Sequence, residues 1–411
     1  MNEHPRGQGG SAFLSGVRVL DVTGALAGPY CTTILSDLGA EVIKVEPVRG
    51  DGLRRRLLGD DKVALPFDLI HRDKGSVAID LKATKGKEIF RRLAAVSDVV
   101  VENFRAGAMD DLGLGYDDLK QDCPDLVYCS ISGFGQTGPM RESKGVDLIS
   151  QAYGGLMSVT GTDDGKIAKA GYPVSDLGSG MWGAVGVLAA LLRARAGGGG
   201  SHIDVALSDT IASWGLWEIA DYVATNEIPG PLGTAHRLTA PYEAFQCGDG
   251  RTIAIGVVDS LWPRLCEVLD VDLAGDPRFT TEWERYRNRG VLAKILTEEF
   301  SREGRDAWIA RLREVGVACG PVNTIDEVVV DEQFEARGLF VRDREVFGQD
   351  IMVNTPIVAD GAPRARGRSP KVGESTRALL SEIGYEVADI DSFAANGIVA
   401  ATPAVASGDV E

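Results

Sequence analysis

The first 131 residues alternate short apolar runs with amphipathic segments, and that alternation restricts the fold more than any other feature of the chain. Residues 17–21 (Val-Arg-Val-Leu-Asp) read as a buried strand. Gly28 and Pro29 then open an amphipathic helix that runs through Leu38 and stops at Gly39, and residues 41–45 supply the next strand. The rhythm continues with strands at 76–81, 98–102 and 126–131 and helices at 85–95 and 116–121. Val- and Ile-rich strands joined by helices pair in parallel through right-handed crossovers, with both faces of the sheet covered. The chain is therefore expected to be of the α/β class.

The second half changes character. Residues 181–195 form a strongly apolar helix stopped by the run Gly197 to Gly200, and a second long helical pattern covers 208–224. After Pro229, Pro231 and Pro241 the period shifts to strands around Phe245 and at 252–257, followed by helices at 260–269, 289–300 and 305–314. That stretch reads as a small α+β unit distinct from the first sheet. The expected division is 12–195 for the first part of a large α/β domain, 196–239 for a linker and helix, and 240–330 for the small α+β domain. Residues 331–395 return to the large domain and 396–411, mostly small residues, form a disordered tail. No internal repeat is evident.

At 411 residues the chain has length for two or three domains. Sixty acidic residues against 43 basic ones give a net charge of −17, opposite to the basic excess of duplex-binding proteins, so no nucleic-acid partner is expected. No uninterrupted apolar run reaches the roughly 20 residues that cross a bilayer, and residues 1–11 lack the apolar core of a secretory signal. The expectation is a cytoplasmic protein without membrane contact. Six cysteines lie at wide, irregular spacings that match neither a disulfide framework nor a zinc site, and the four histidines are out of helical reach of one another. No metal is expected.

Chemistry-bearing residues gather at strand ends. The first turn, Gly24-Ala-Leu-Ala-Gly28-Pro29, is a poor match to a dinucleotide fingerprint because Leu26 occupies the position of the second glycine. A basic cluster of Lys44, Arg49, Arg54, Arg55 and Arg56 follows the second strand in an otherwise acidic chain; it is either a phosphate site or a solvated charge run. Lys82 follows the third strand and Asn103-Phe104-Arg105 the fourth, at the sheet edge where α/β ligands collect. Asp176, in Gly171-Tyr-Pro-Val-Ser-Asp-Leu-Gly-Ser-Gly-Met-Trp, is either a helix N-cap or a reactive carboxylate.

These segments, together with Arg18-Val-Leu-Asp-Val-Thr, Asp37-Leu-Gly-Ala-Glu-Val-Ile-Lys-Val-Glu-Pro, Tyr128-Cys-Ser-Ile-Ser-Gly-Phe-Gly-Gln-Thr-Gly-Pro, Gly154-Gly-Leu-Met-Ser-Val-Thr-Gly and Cys319-Gly-Pro-Val-Asn, resemble the class III coenzyme A transferases. That family, of the formyl-CoA transferase and carnitine CoA-transferase type, also contains an α-methylacyl-CoA racemase branch. The likeness covers nearly the whole chain. It implies a large doubly wound, Rossmann-like parallel-sheet domain, a small α+β domain and an interlocked homodimer. It also implies acyl-CoA and carboxylic acid substrates, with no cofactor beyond coenzyme A as substrate.

Carried over residue by residue, the resemblance makes Asp176 the nucleophile. It places CoA contacts at Leu26, Ala27, Ile79, Asp80, Leu81, Lys82, Asn103, Phe104, Arg105, Lys144, Gly145, Val146 and Asp147. Two arginines of the family's CoA site are replaced by Pro47 and Asp111, with Arg49, Arg54 or Arg55 as substitutes. Gly178 and Gly180 are expected to offer N–H groups to the developing oxyanion. The racemase branch carries a histidine where this chain has Val146, which has no ionisable group, so an acyl-CoA epimerase is the disfavoured alternative. Leu232-Gly-Thr-Ala-His236 with Pro241-Tyr-Glu-Ala-Phe245 looks closest to the succinyl-CoA:glutarate type, with His236 and Arg237 as candidate ligands for the distal carboxylate of a dicarboxylic acid.

Overall fold

The structure, a computed structural model, describes residues 12–56, 65–347, 351–359 and 367–401. The chain separates into two compact units. The larger takes its residues from Met1–Gly154, Gly171–Trp214 and Glu332–Glu411, the smaller from Gly155–Ala170 and Gly215–Asp331.

In the larger unit β1 (Arg18–Val22), β2 (Glu41–Glu46), β3 (Gly75–Ile79), β4 (Val99–Glu102), β5 (Val127–Ser132) and β6 (Ser201–Ala206) are parallel and ordered β3-β2-β1-β4-β5-β6. The direction of winding reverses between β1 and β4, which opens a crevice at their carboxyl ends. The connections carry α1 (Ala27–Asp37), α2 (Leu65–His71), α3 (Thr84–Ala94), the short α4 (Ala108–Asp111) and α5 (Tyr116–Leu119), and α6 (Asp147–Tyr153). The turn α7 (Leu156–Val159) lies in the excursion to the smaller unit, and α8 (Val174–Arg193) and α9 (Leu207–Trp214) complete the larger one.

Neighbouring strand residues point to opposite faces. Leu20, Ile43, Val77 and Val100 therefore pack with Phe90 and Leu93 of α3 and with Leu380 of the C-terminal helix Thr376–Glu382, whereas Val19, Val42, Val99 and Val101 pack with Leu35 of α1 and Val187 of α8. Burial on both faces explains why these strands read as continuous apolar runs rather than as alternation.

The charged groups at the end of β1 are paired. Asp21, fully buried at the end of β1, accepts hydrogen bonds from Lys74 Nζ at 2.8 Å, from Thr32 Oγ1 of α1 at 2.8 Å and from the Thr23 amide at 3.0 Å. Lys74 also donates to the Pro29 carbonyl at 3.2 Å, and Lys44 bridges the Thr23 carbonyl and Asp51 at 2.8 and 2.9 Å. Burial opposes the Asp21 charge, but Lys74 and Lys44 outweigh it and hold the carboxyl below the usual range. Burial likewise pushes Lys74 down to about 8 despite its partner. The network ties β1, β2 and β3 to the first turns of α1.

Several expectations shift. The helix expected from residue 181 starts at Val174, and the one expected over 208–224 breaks at Gly215 into α9 and α10 (Leu216–Thr225), the latter within the smaller unit. The tail expected from 396 begins with order: Val399–Ala400 adds an antiparallel strand to the edge of β3, and Asp80 donates to the Ile398 carbonyl at 2.8 Å. An open sheet edge is a row of unsatisfied backbone groups, so even two residues of chain are held there. Residues 402–411 of that segment lie outside the described residues. By length and composition the helical stretch Val174–Gly198, which contains the apolar run read at 181–195, could cross a membrane; its glycine face packs on α1, β5 and β6.

The smaller unit holds an antiparallel sheet of β7 (Tyr242–Gln246), β8 (Thr252–Gly256) and β9 (Ala318–Pro321), covered by α11 (Trp262–Leu269), α12 (Glu282–Arg287), α13 (Arg289–Phe300) and α14 (Arg305–Glu314). Ile253, Leu265, Phe300, Trp308 and Leu312 form its core.

Removing one partner of a buried ion pair strands the other. Lys74→Met is expected to destabilise the protein by about 3–5 kcal/mol in urea unfolding, and adding Asp21→Asn to recover a large part of that loss.

Candidate active site

The crevice at the winding reversal is shaped by one asparagine. Asn103, just past β4, accepts a hydrogen bond from the Gly24 amide and donates one to the Gly24 carbonyl, both 2.8 Å long. Both polar ends of its amide are engaged, and they clasp the β1–α1 turn. Ala25 within that turn has φ of 58°. A Cβ on Gly28 would lie 2.4 Å from Thr23 and 3.0 Å from Asn103, so the tight turn admits only glycine there. Leu26 is half-buried, and Ala27 is buried where it opens α1.

The other expected contacts differ in availability. Ile79 belongs to the sheet core, while half-buried Asp80 accepts from the Lys82 amide at 3.0 Å beside half-buried Leu81; the Lys82 side chain is exposed. Phe104 is exposed, its amide fixed to Glu102 at 2.8 Å, and Arg105 is exposed but paired with Asp111 at 2.6 Å. Glu102 itself is buried, which pushes its carboxyl up to about 7.

The basic cluster does not act as one patch. Lys44 is buried within the Asp21 network, and Arg54 grips both oxygens of Glu46 at 2.7 and 2.8 Å, donates to the Pro370 carbonyl and stacks on Phe67 at 3.8 Å. Arg54 is thereby removed from the expected phosphate substitutes. Arg49 and Arg55 are exposed and enter no ion pair among the described residues.

Asp176 occupies the third position of α8, whose N-cap is Pro173. It is therefore not the N-cap that its sequence setting allowed. Beside it, α6 presents Asp147 at its first position after the exposed Val146. Asp147 Oδ1 accepts from the Ser175 amide at 3.0 Å and from Ser175 Oγ at 2.6 Å, and its Oδ2 accepts from Gln151 Nε2 at 2.7 Å. The preceding Gly145 passes the Gly133 backbone so closely that a Cβ would come within 2.4 Å, and Lys144 is exposed. Burial first, and the Asp147 charge second, push the Asp176 carboxyl up to about 6.

Gly178 and Gly180 lie inside α8, where their N–H groups bond to carbonyls one turn back, so they are not the expected oxyanion donors. Their role is contact. A Cβ on Gly180 would sit 2.6 Å from the Ala27 carbonyl, and one on Gly178 2.3 Å from Trp214. The start of α6 thus meets the first turn of α8 through Asp147 and Ser175, while the start of α1 packs on the next turn of α8 through Ala27 and Gly180. In the smaller unit, Arg237 lies 3.4 Å from both Glu218 and Asp221 and donates to the Gly230 carbonyl at 2.8 Å, so its charge is locally compensated rather than open to a substrate carboxylate. His236 accepts from the Leu238 amide at 3.2 Å and packs on Tyr242 at 5.0 Å. No group of three or more metal-ligating side chains occurs among the described residues.

Sequence reasoning missed the capping of α8 by Asp147 and the Asp21–Lys74 network. The missing polar side chain at Pro173 was the available sign that α8 needed a cap from elsewhere.

The larger unit is thus a doubly wound α/β fold with a half-buried carboxyl, Asp176, in the first turn of a long apolar helix. Residues 14–376 match the model of CoA-transferase family III. The chain belongs to that family and is a family III CoA-transferase. It is 36% identical over 382 residues to the succinate–glutarate CoA-transferase of Agrobacterium fabrum, covering 90% of this chain and 95% of the relative. It is 34% identical over 394 residues to human succinyl-CoA:glutarate CoA-transferase, covering 94% of this chain and 90% of that one. A solved CAIB/BAIF family protein from Brucella suis superimposes with a TM-score of 0.80 at 36% identity, over 91% of this chain and all of its own.

A carboxyl raised on folding weakens the folded state above its folded pKa, and the penalty disappears below the unfolded value of 3.8. Asp176→Asn is accordingly expected to stabilise the protein at about pH 8 by on the order of 1 kcal/mol after allowance for solvent screening. Thermal unfolding should show that gain shrinking as the pH falls through 6 toward 4.

Proposed function

We propose that the enzyme moves CoA from succinyl-CoA, or another short dicarboxylyl-CoA, to a carboxylic acid acceptor, with Asp176 as the covalent nucleophile. The observation that carries this reading is the half-buried Asp176 carboxyl, raised to about 6 and held near the start of α8, where α6 and α1 pack on it. At neutral pH it is mostly ionised yet partly stripped of water, the condition in which a carboxylate attacks a thioester. The names of the relatives, which act on succinyl-CoA, glutarate, oxalate or mesaconate, support a small acid as acceptor.

An Asp176 oxygen attacks the thioester carbonyl, the C–S bond breaks, and CoA leaves as thiolate, giving an aspartyl-acyl anhydride. The thiolate then attacks the aspartyl carbonyl, releasing the first acid and leaving CoA as a thioester on Asp176. The acceptor carboxylate attacks that thioester and the sequence runs in reverse. Each step exchanges one activated acyl bond for another, so no ATP and no cofactor beyond CoA is needed. The positive end of the α8 dipole favours the negative charge of the tetrahedral intermediate.

CoA itself is assigned to Leu26, Ala27, the 79–82 and 103–105 edges and residues 144–147, with Arg49 or Arg55 serving the phosphates where Pro47 and Asp111 have no positive charge. An epimerase reading lacks support because Val146 supplies no acid or base opposite Asp176.

The assembly is proposed to be an interlocked homodimer. The outer face of α8 exposes Met181, Trp182, Val185 and Leu192, and α6 exposes Leu148, Ile149 and Tyr153. Apolar exposure on that scale marks an interface, and self-association is the simplest cover for it. Sedimentation equilibrium is expected to give twice the 43.7 kDa chain mass; a monomer at micromolar concentration rejects the dimer.

The central test incubates the protein with succinyl-CoA and a panel of dicarboxylic acids, with mass spectrometry of the new CoA esters. Asp176→Ala is expected to lower exchange on the order of 10⁴-fold or more, and hydroxylamine trapping to label Asp176 in the native protein. Full exchange with residue 176 unlabelled would end this assignment.

A further inference from the structure

Asp147 belongs to none of the chemical steps above, yet its contacts single it out. Helix α8 starts at Pro173, which has no side chain able to accept from the orphan amides of the first turn. The cap comes instead from another helix, 28 residues earlier in sequence: Asp147 takes both the amide and the hydroxyl of Ser175, which is fully buried and adjacent to Asp176. Ser175 Oγ also lies 3.2 Å from the Asp147 backbone carbonyl, and Gln151, itself fully buried, holds the other carboxylate oxygen. Every lever on the Asp147 carboxylate therefore acts on the turn that carries Asp176.

We propose that Asp147 is the positioning residue of the transfer reaction, fixing the rotation of the first turn of α8 and placing a second negative charge beside the Asp176 carboxylate. This rests on the reading of Asp176 as the acyl acceptor. The consequence is twofold. A clamped turn keeps the carboxylate aimed through all the acyl exchanges at this one residue, and a neighbouring anion makes the Asp176 oxygen more basic and hence a stronger nucleophile once ionised.

The charge effect is specific to Asp147. Other elements packed on α8 carry Tyr30, Cys31 and Asp37 (α1), Tyr128 and Cys129 (β5), His202 and Asp204 (β6), Asp209 (α9) and Arg195 in the turn that follows it. Among these and Asp147, only Asp147 perturbs Asp176, adding to the effect of burial. Asp147 also ends the 144–147 segment assigned to CoA, so the residue that caps α8 lies next to the proposed CoA contacts.

The test pairs Asp147→Asn, which keeps an oxygen for Ser175 but removes the charge, with Asp147→Ala, which removes the cap. Selective ¹³C-carboxyl labelling of aspartate, with Asp176→Asn to assign the signal, follows the titration of Asp176 directly and needs no turnover. In Asp147→Asn the Asp176 midpoint is expected to fall by half a unit or more, and the acid limb of kcat to move down with it. Asp147→Ala is expected to lose ten- to a hundredfold in kcat with KM for the acyl-CoA within about threefold. An unmoved midpoint, or losses confined to KM, overturns the proposal. Hydroxylamine labelling of residue 176 in the native protein is read separately and judges the nucleophile assignment alone.

Discussion

The close seating of α8 is the constraint on which the site depends. Cβ atoms at Gly178, Gly180, Gly183 and Gly186 would come within 2.3–2.8 Å of Trp214, the Ala27 carbonyl, Ile131 and Ile203 respectively. Glycine inside a helix costs up to about 1 kcal/mol relative to alanine, so four of them represent several kcal/mol of lost helix propensity. That loss is offset by contact with α1, β5, β6 and α9 at backbone distance, which larger residues would forbid. The result is a long apolar helix whose first turns are set against the starts of α6 and α1, and Asp176 rides on the first of them.

Charge is distributed by the same geometry. In a chain with a net charge of −17, cations are scarce, and the sheet consumes several of them internally. Lys44 and Lys74 neutralise Asp21 and Asp51, and Arg54 neutralises Glu46. These pairs hold the carboxyl ends of β1, β2 and β3 in place. The price is that a run of basic residues which looks like a phosphate site in sequence leaves Arg49, Arg55 and Arg56 exposed, with no ion pair among the described residues.

Much of the fold was legible because local pattern and tertiary environment agree. Strands buried on both faces announce themselves as Val and Ile runs, and Pro29 and Gly39 bracket α1 within a residue or two. What local pattern cannot carry is partnership across the fold. Asn103 stood out as a polar residue at a strand end, but nothing near it in sequence shows that Gly24, 79 residues away, takes both its hydrogen bonds. Gly178 and Gly180 read as loop-like donors because glycine usually breaks helices, whereas here they permit one. Arg237 offered a free cation only until Glu218 and Asp221 of α10 were brought beside it.

The same distinction explains why Asp176 and Asp147 stand out in sequence while the contact between their helices does not. A nucleophile in this chemistry needs opposing properties: enough ionisation at neutral pH to attack, and enough basicity and desolvation for the attack to succeed. A helix start favours the anion, while burial and a neighbouring carboxylate disfavour it, and the balance leaves the group titrating about one unit below neutrality. An aspartate in water, near 3.8, would be fully ionised but weakly nucleophilic. Burial is the larger cause of that rise, and where α6 and α8 meet Asp147 adds its charge while capping α8 in the same contact. On the proposed reading of Asp176 as nucleophile, its reactivity draws on two helix starts held together as well as on burial.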